Sequence, residues 1–158
     1  MTTVTVVKKD GRIAIAADTL TKWGSGKESA DYVANHEKII RIGDSHIAIT
    51  GSATFKLILA DYFSSLDTPP QLDSAADIFR VWNTMHGALK EHYYLQTGED
   101  KEEDLESSRM DVLIANPRGI FGVAAHRTVQ EFSRFYAYGS GSPYALGAMY
   151  AAWRAPSL

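Results

Sequence analysis

Met1-Thr2-Thr3-Val4-Thr5-Val6-Val7-Lys8-Lys9-Asp10-Gly11-Arg12-Ile13-Ala14-Ile15-Ala16-Ala17-Asp18 opens the chain. Two β-rich runs flank Asp10-Gly11, a pair that favours the left-handed backbone of a two-residue hairpin turn. The first strand therefore starts at the chain end itself, with no charged-then-apolar leader before it. Removal of Met1 makes Thr2 the first residue. A threonine there carries a hydroxyl and a primary amine on adjacent carbons, a nucleophile with its own base attached. In an arbitrary protein Thr2 is an ordinary strand residue behind an initiator methionine, so the rest of the chain must supply the context.

A chain of 158 residues fits one domain, residues 1–158, and can bury a core. A net charge of −3 gives no general basic field, so no nucleic-acid partner is expected. No apolar run is long enough to span a bilayer, so no membrane partner is expected either. Cysteine is absent, which removes disulfides, thiolate metal sites and cysteine nucleophiles together. This composition fits a cytoplasmic protein. His36, His46, His86, His92 and His126 match no metal-binding spacing, so no metal is expected. Trp23-Gly24-Ser25-Gly26-Lys27-Glu28-Ser29 fails as a phosphate loop, because Glu28 stands where Ser or Thr must follow the lysine.

Onward from the first hairpin, residues 19–37 read as a long polar loop or short irregular strand. Lys38 to Ile42 and His46 to Thr50 form a second hairpin around Gly43-Asp44. Ala53 to Leu66 has apolar residues at helical spacing, with Ser52 as its N-cap. Ala75 to Leu95 is a second helix capped by Asp73 or Ser74, with Ile78, Phe79, Val81, Trp82, Met85, Leu89 and Tyr93 on its apolar face. The acidic run from Gly98 to Glu106 reads as a solvated loop. Met110 to Ala115 and Gly119 to Ala125 make a third hairpin, and Val129 to Ser133 and Phe135 to Tyr138 are short strands. Gly139-Ser140-Gly141-Ser142-Pro143 leads into a helix from Tyr144 to Trp153, with Pro143 in its first turn. Strands and helices are segregated, which argues for a layered α+β domain.

Several of these pieces recur together in one family. Thr2-Thr3-Val4, Ile15-Ala16-Ala17-Asp18, Lys38-Ile39-Ile40-Arg41-Ile42, Ile49-Thr50-Gly51-Ser52 and Tyr138-Gly139-Ser140-Gly141-Ser142-Pro143 resemble, in order and near spacing, the proteasome β-type family. The HslV-like bacterial branch of these N-terminal nucleophile hydrolases is the nearest pattern, and a small bacterial homologue outside HslV also fits. The resemblance implies a four-layer αββα sandwich of two antiparallel β-sheets flanked by helices. It implies a threonine endopeptidase that needs no cofactor. Thr2 is the implied nucleophile and Lys38 the lysine beside its hydroxyl. Asp18 is implied as that lysine's acid, Gly51 as the oxyanion donor and Ser140 as the serine near the terminal amine. Ile49 and Ala53 are implied to line the pocket for the residue before the cut bond, and their apolar character suggests an apolar preference.

The family also implies a homo-oligomeric ring, stacked as a double ring, that admits unfolded polypeptide and works with an ATPase unfoldase. Family members continue past the third helix with a segment carrying a further aspartate and serine, so the domain is expected to be incomplete after Leu158. Two alternatives stay open at this stage: a non-catalytic ring or scaffold subunit, and an N-terminal nucleophile amidohydrolase acting on small amides.

Overall fold

Asp10 and Gly11 both adopt left-handed backbone, with φ of 53° and 75°. That turn follows the right-handed twist of paired strands, and it joins β1 (Val4–Lys9) to β2 (Arg12–Ala17). The computed structural model describes residues 2–98 and 103–155. Residues 19–37, read above as a long polar loop or short irregular strand, contain a small hairpin of β3 (Thr21–Trp23) and β4 (Gly26–Glu28). Its strands are too short and polar to give a periodic apolar signal. The second hairpin is β5 (Ile39–Ile42) with β6 (Ser45–Ile49).

Two helices follow, α1 (Thr54–Ser64) and α2 (Ala75–His92). Ser74 caps α2 as expected, its hydroxyl accepting from the Asp77 N–H at 3.2 Å. Ser52 does not cap α1. Ala53 holds the cap position in helical conformation, and the Ser52 hydroxyl accepts only from Thr54 N–H at 3.3 Å, ahead of the helix. α2 stops at His92 rather than Leu95, because Tyr94 turns left-handed at φ 59°. Of the acidic run, Glu99 to Glu102 lies outside the described residues, and Glu103 to Glu106 is exposed. Glu106 still accepts from the His86 ring at 3.0 Å and from Lys90 at 2.8 Å, tying the run to α2.

The chain then returns through β7 (Val112–Asn116), β8 (Gly119–Val123), β9 (Val129–Phe132) and β10 (Phe135–Tyr138) before α3 (Ser142–Trp153). All sheet pairings are antiparallel, in a five-stranded sheet β5-β6-β7-β8-β9 and a three-stranded sheet β10-β1-β2.

Alternation along the strands sets the layers. Ile47, Ile49, Val112, Ile114, Phe121 and Val123 face Leu59, Phe63, Ile78, Trp82, Met85 and Leu89 of α1 and α2. The intervening Ala48, Leu113, Ala115 and Ile120 face Val4 and Val6 of the other sheet. α3 packs on β10 and β1 from the far side. The order is helices, sheet, sheet, helix, the αββα sandwich expected. Leu57 and Phe79, counted among the apolar helix positions, are exposed at 55% and 48% because their turns point away from the sheet. Ala14 and Ala16 also face outward and make no close packing there.

The two serines offer a direct check. Ser74→Ala should lower unfolding free energy by about 1 kcal/mol in urea titration, and Ser52→Ala by only a few tenths.

Candidate active site

β1 is the middle strand of its sheet, so the residues before it are flanked on both sides. Val4 pairs with Ala17 on β2 and with Tyr138 on β10. One step further out, Thr2 and Thr3 lie between Asp18, just past β2, and Gly139-Ser140, just past β10. Lys38 directly precedes β5 and Gly51 follows β6, with Ile49 N–H donating to the Lys38 carbonyl at 3.0 Å. Strand ends from both sheets thus bring Thr2, Asp18, Lys38, Gly51 and Ser140 to one edge of the sandwich.

The Asp18 carboxylate organises the contacts. Oδ1 accepts from Thr3 N–H at 2.8 Å. Oδ2 accepts from Leu20 N–H at 3.1 Å and from Lys38 Nζ at 2.9 Å. Burial pushes the Asp18 carboxyl up, but the bonds from Thr3, Lys38 and Leu20 together outweigh it and hold it below the ordinary carboxylate range. Lys38 Nζ, on a side chain only 13% exposed, also donates to Thr2 Oγ1 at 3.3 Å. Thr2 N lies 3.3 Å from Ser140 Oγ, to which it donates, and the Thr2 carbonyl accepts from Gly141 N–H at 3.3 Å. A hydroxyl therefore sits beside a lysine nitrogen that a carboxylate holds in place.

Backbone geometry supplies the rest. Gly51 has φ 94°, and a Cβ there would stand 2.9 Å from the Arg109 carbonyl. Only glycine suits that position. Among the described residues its N–H donates to no protein acceptor, which leaves it available to a ligand. Thr50 fixes the neighbouring backbone, its hydroxyl donating to the Asp111 carbonyl at 2.9 Å and accepting from Asp111 N–H at 3.0 Å. Gly139 has φ 99°, and a Cβ on it would overlap the Thr2 carbonyl. A Cβ on Gly141 would overlap the Thr3 hydroxyl. These two glycines let the start of β1 lie flush against the β10–α3 connection. The preceding Tyr138 hydroxyl is enclosed without a partner among the described residues, and burial pushes its pKa up to about 12.

A cavity of about 190 Å³ opens at Thr2. Ile49 and Ala53 line it, as do Lys38 and Gly51. So do Lys22, His36 and Lys56, to which sequence reading gave no role at this site. They come from β3, the loop before β5 and α1, three segments whose convergence no sequence spacing signals.

No family model and no curated protein sequence matches the chain. Among solved structures it is similar to Thiobacillus denitrificans BPH, at 87% identity and a TM-score of 0.94, over 99% of this chain and 81% of that one. It is similar over the same spans to Thiobacillus denitrificans BPH in complex with epoxomicin, at 86% identity and a TM-score of 0.93. Eukaryotic HslV from Trypanosoma brucei matches at 17% identity and a TM-score of 0.60, over 99% of this chain and 82% of that one. That likeness carries the fold alone.

Two outcomes test the geometry. The Asp18 carboxyl is depressed in the fold, so its contribution to stability is complete above the unfolded value near 3.8 and is lost as pH falls through the folded value. Urea midpoints measured from pH 5 downward should fall less steeply in Asp18→Asn than in the native chain. Gly139→Ala should destabilise by about 2–4 kcal/mol, because strained backbone and overlap with Thr2 add.

Proposed function

We propose a function from one premise: this chain belongs to the bacterial proteasome homologue family, the BPH branch of the proteasome β-type proteins. It is a threonine protease subunit. The reagent is Thr2 after loss of Met1, a residue that lies outside the described ones. The observation that carries this reading is the 3.3 Å contact from Lys38 Nζ to Thr2 Oγ1. An ordinary structural ion pair between Lys38 and Asp18 has no need of it.

In this reading Thr2 Oγ1 attacks the carbonyl carbon of a peptide bond. A C–O bond forms, and the Oγ1 proton passes to the free Thr2 amine and then to the departing peptide nitrogen as the C–N bond breaks. Water hydrolyses the resulting ester by the same proton route and restores the threonine. The Lys38 ammonium stabilises negative charge developing on Oγ1. It also disfavours a second positive charge on the terminal amine, which keeps that amine a base near neutral pH. Asp18 holds Lys38 aimed at Thr2. The Gly51 N–H receives the oxyanion. The Ser140 hydroxyl orients the amine, and Ile49 and Ala53 contact the side chain before the cut bond. Epoxomicin is a threonine-protease inhibitor, and its complex with Thiobacillus denitrificans BPH supports the same chemistry here.

The subunit acts in a homo-oligomeric ring, stacked in pairs, that shields the site and admits unfolded polypeptide, with an ATPase unfoldase to feed it in the cytoplasm. Family membership supports this assembly. Among the described residues, no helix is long and apolar enough to cross a membrane.

Intact mass of the purified protein should show Met1 removed, and epoxomicin should add one adduct per chain that disappears in Thr2→Ala. Lys38→Ala should lower peptide kcat/KM by at least about 10²-fold with the circular dichroism spectrum unchanged. Processed, assembled protein that neither labels nor cleaves peptides would falsify the reading.

A further inference from the structure

We propose that the cavity beside Thr2 selects an acidic side chain, glutamate above all, immediately before the bond to be cut. The inference rests on the peptidase reading above. Lys22, His36, Lys38 and Lys56 all line the cavity, and among the described residues no Asp or Glu does. Asp18, the nearest acid in the site, is bound to Lys38 and does not line it. The concentration of positive charge is local, because the whole chain is net acidic at −3.

Two of these groups, Lys22 and Lys56, carry charge that is poorly compensated among the described residues. Lys56 Nζ donates to the carbonyls of Asn35 and Glu37, which uses two of its three N–H groups and neutralises none of its charge. Neither Lys22 nor Lys56 forms an ion pair among the described residues. Lys22 also stands directly opposite Lys27 in the β3–β4 pairing, so two like charges share one face of that ribbon. Such a pair is destabilising on its own, and an anion beside it relieves the repulsion.

The cavity's shape and charge act together. Ile49 and Ala53 give apolar walls that suit the methylenes of an extended side chain. A lysine or arginine entering the cavity meets like charge and finds no carboxylate. A leucine satisfies the walls but displaces water from ammonium groups and gives them nothing in return. A glutamate satisfies both. Ile49 and Ala53 by themselves suggest an apolar preference, and the lysines from β3 and α1 reverse it.

The test uses processed, assembled protein and four fluorogenic peptides that differ only in the residue before the reporter amide: Glu, Gln, Leu and Lys. The expected result is a kcat/KM for Glu about tenfold above Gln, with Lys the poorest. The Glu-to-Gln ratio should shrink at high ionic strength. It should also shrink in Lys56→Gln and, independently, in Lys22→Gln. Lys56 ties down the segment containing Asn35 and Glu37, whereas Lys22 is exposed on a surface strand, so the second variant separates charge from local disorder. Equal rates for Glu and Gln, or a preference for Leu or Lys, overturn this inference and leave the Thr2 chemistry standing. Absence of Thr2-dependent cleavage for all four peptides overturns the two together.

Discussion

The whole site depends on one constraint: the strand that begins the chain is the middle strand of its sheet. A terminal strand at a sheet edge has one neighbour to hold it, and chain ends fray unless tied down. β1 has β2 on one side and β10 on the other, and Val4 and Val6 are fully buried against the facing sheet. Thr2 and Thr3 inherit that order. Thr3 N–H is held by Asp18, the Thr2 carbonyl by Gly141, and Asp18 N–H returns a bond to the Thr3 carbonyl at 3.1 Å. The residues just before β1 are thereby as well positioned as those in a strand interior.

Electrostatics then act on a fixed frame. Asp18 is held by two backbone N–H groups as well as by Lys38, so its position does not depend on the ion pair alone. Lys38 is nearly buried, which makes its attraction to a negative charge beside it stronger than it would be in water. Lys22 lies out on an exposed hairpin and Lys56 on the first helix. The same face of the molecule therefore carries two kinds of positive charge. One is neutralised by Asp18 and directed at the hydroxyl, and the other lies around the space next to it.

Much of this was legible in the sequence, for identifiable reasons. Asp10-Gly11 fixed the first hairpin because few residue pairs tolerate two left-handed positions in a row. β7 and β8 read as continuous apolar runs because helices cover one face and a sheet covers the other. The grouping of Thr2, Asp18, Lys38, Gly51 and Ser140 came from family resemblance rather than spacing, since five strand ends must converge to bring them together. The β3–β4 hairpin stayed hidden because Thr21, Lys22 and Trp23 bury too little surface to leave a pattern. Ser52 misled because a serine ahead of an apolar run resembles a cap even when the chain enters the helix one residue later. Gly139 and Gly141 read as the lead into a helix. Their purpose is close approach to Thr2 and Thr3, which only the β1–β10 register reveals.

The pairing of Val4 with Tyr138 spans nearly the whole chain. Contacts so distant in sequence close late, because the intervening loop entropy must be overcome before they add stability. During synthesis β10 emerges long after β1, so the first strand waits half-paired in a hairpin with β2. Thr3 meets Asp18 early in that wait, but Ser140 and the Gly139 turn reach Thr2 only when the sheet is completed. The cluster around Thr2 is thus completed only by the last pairing of that sheet to close.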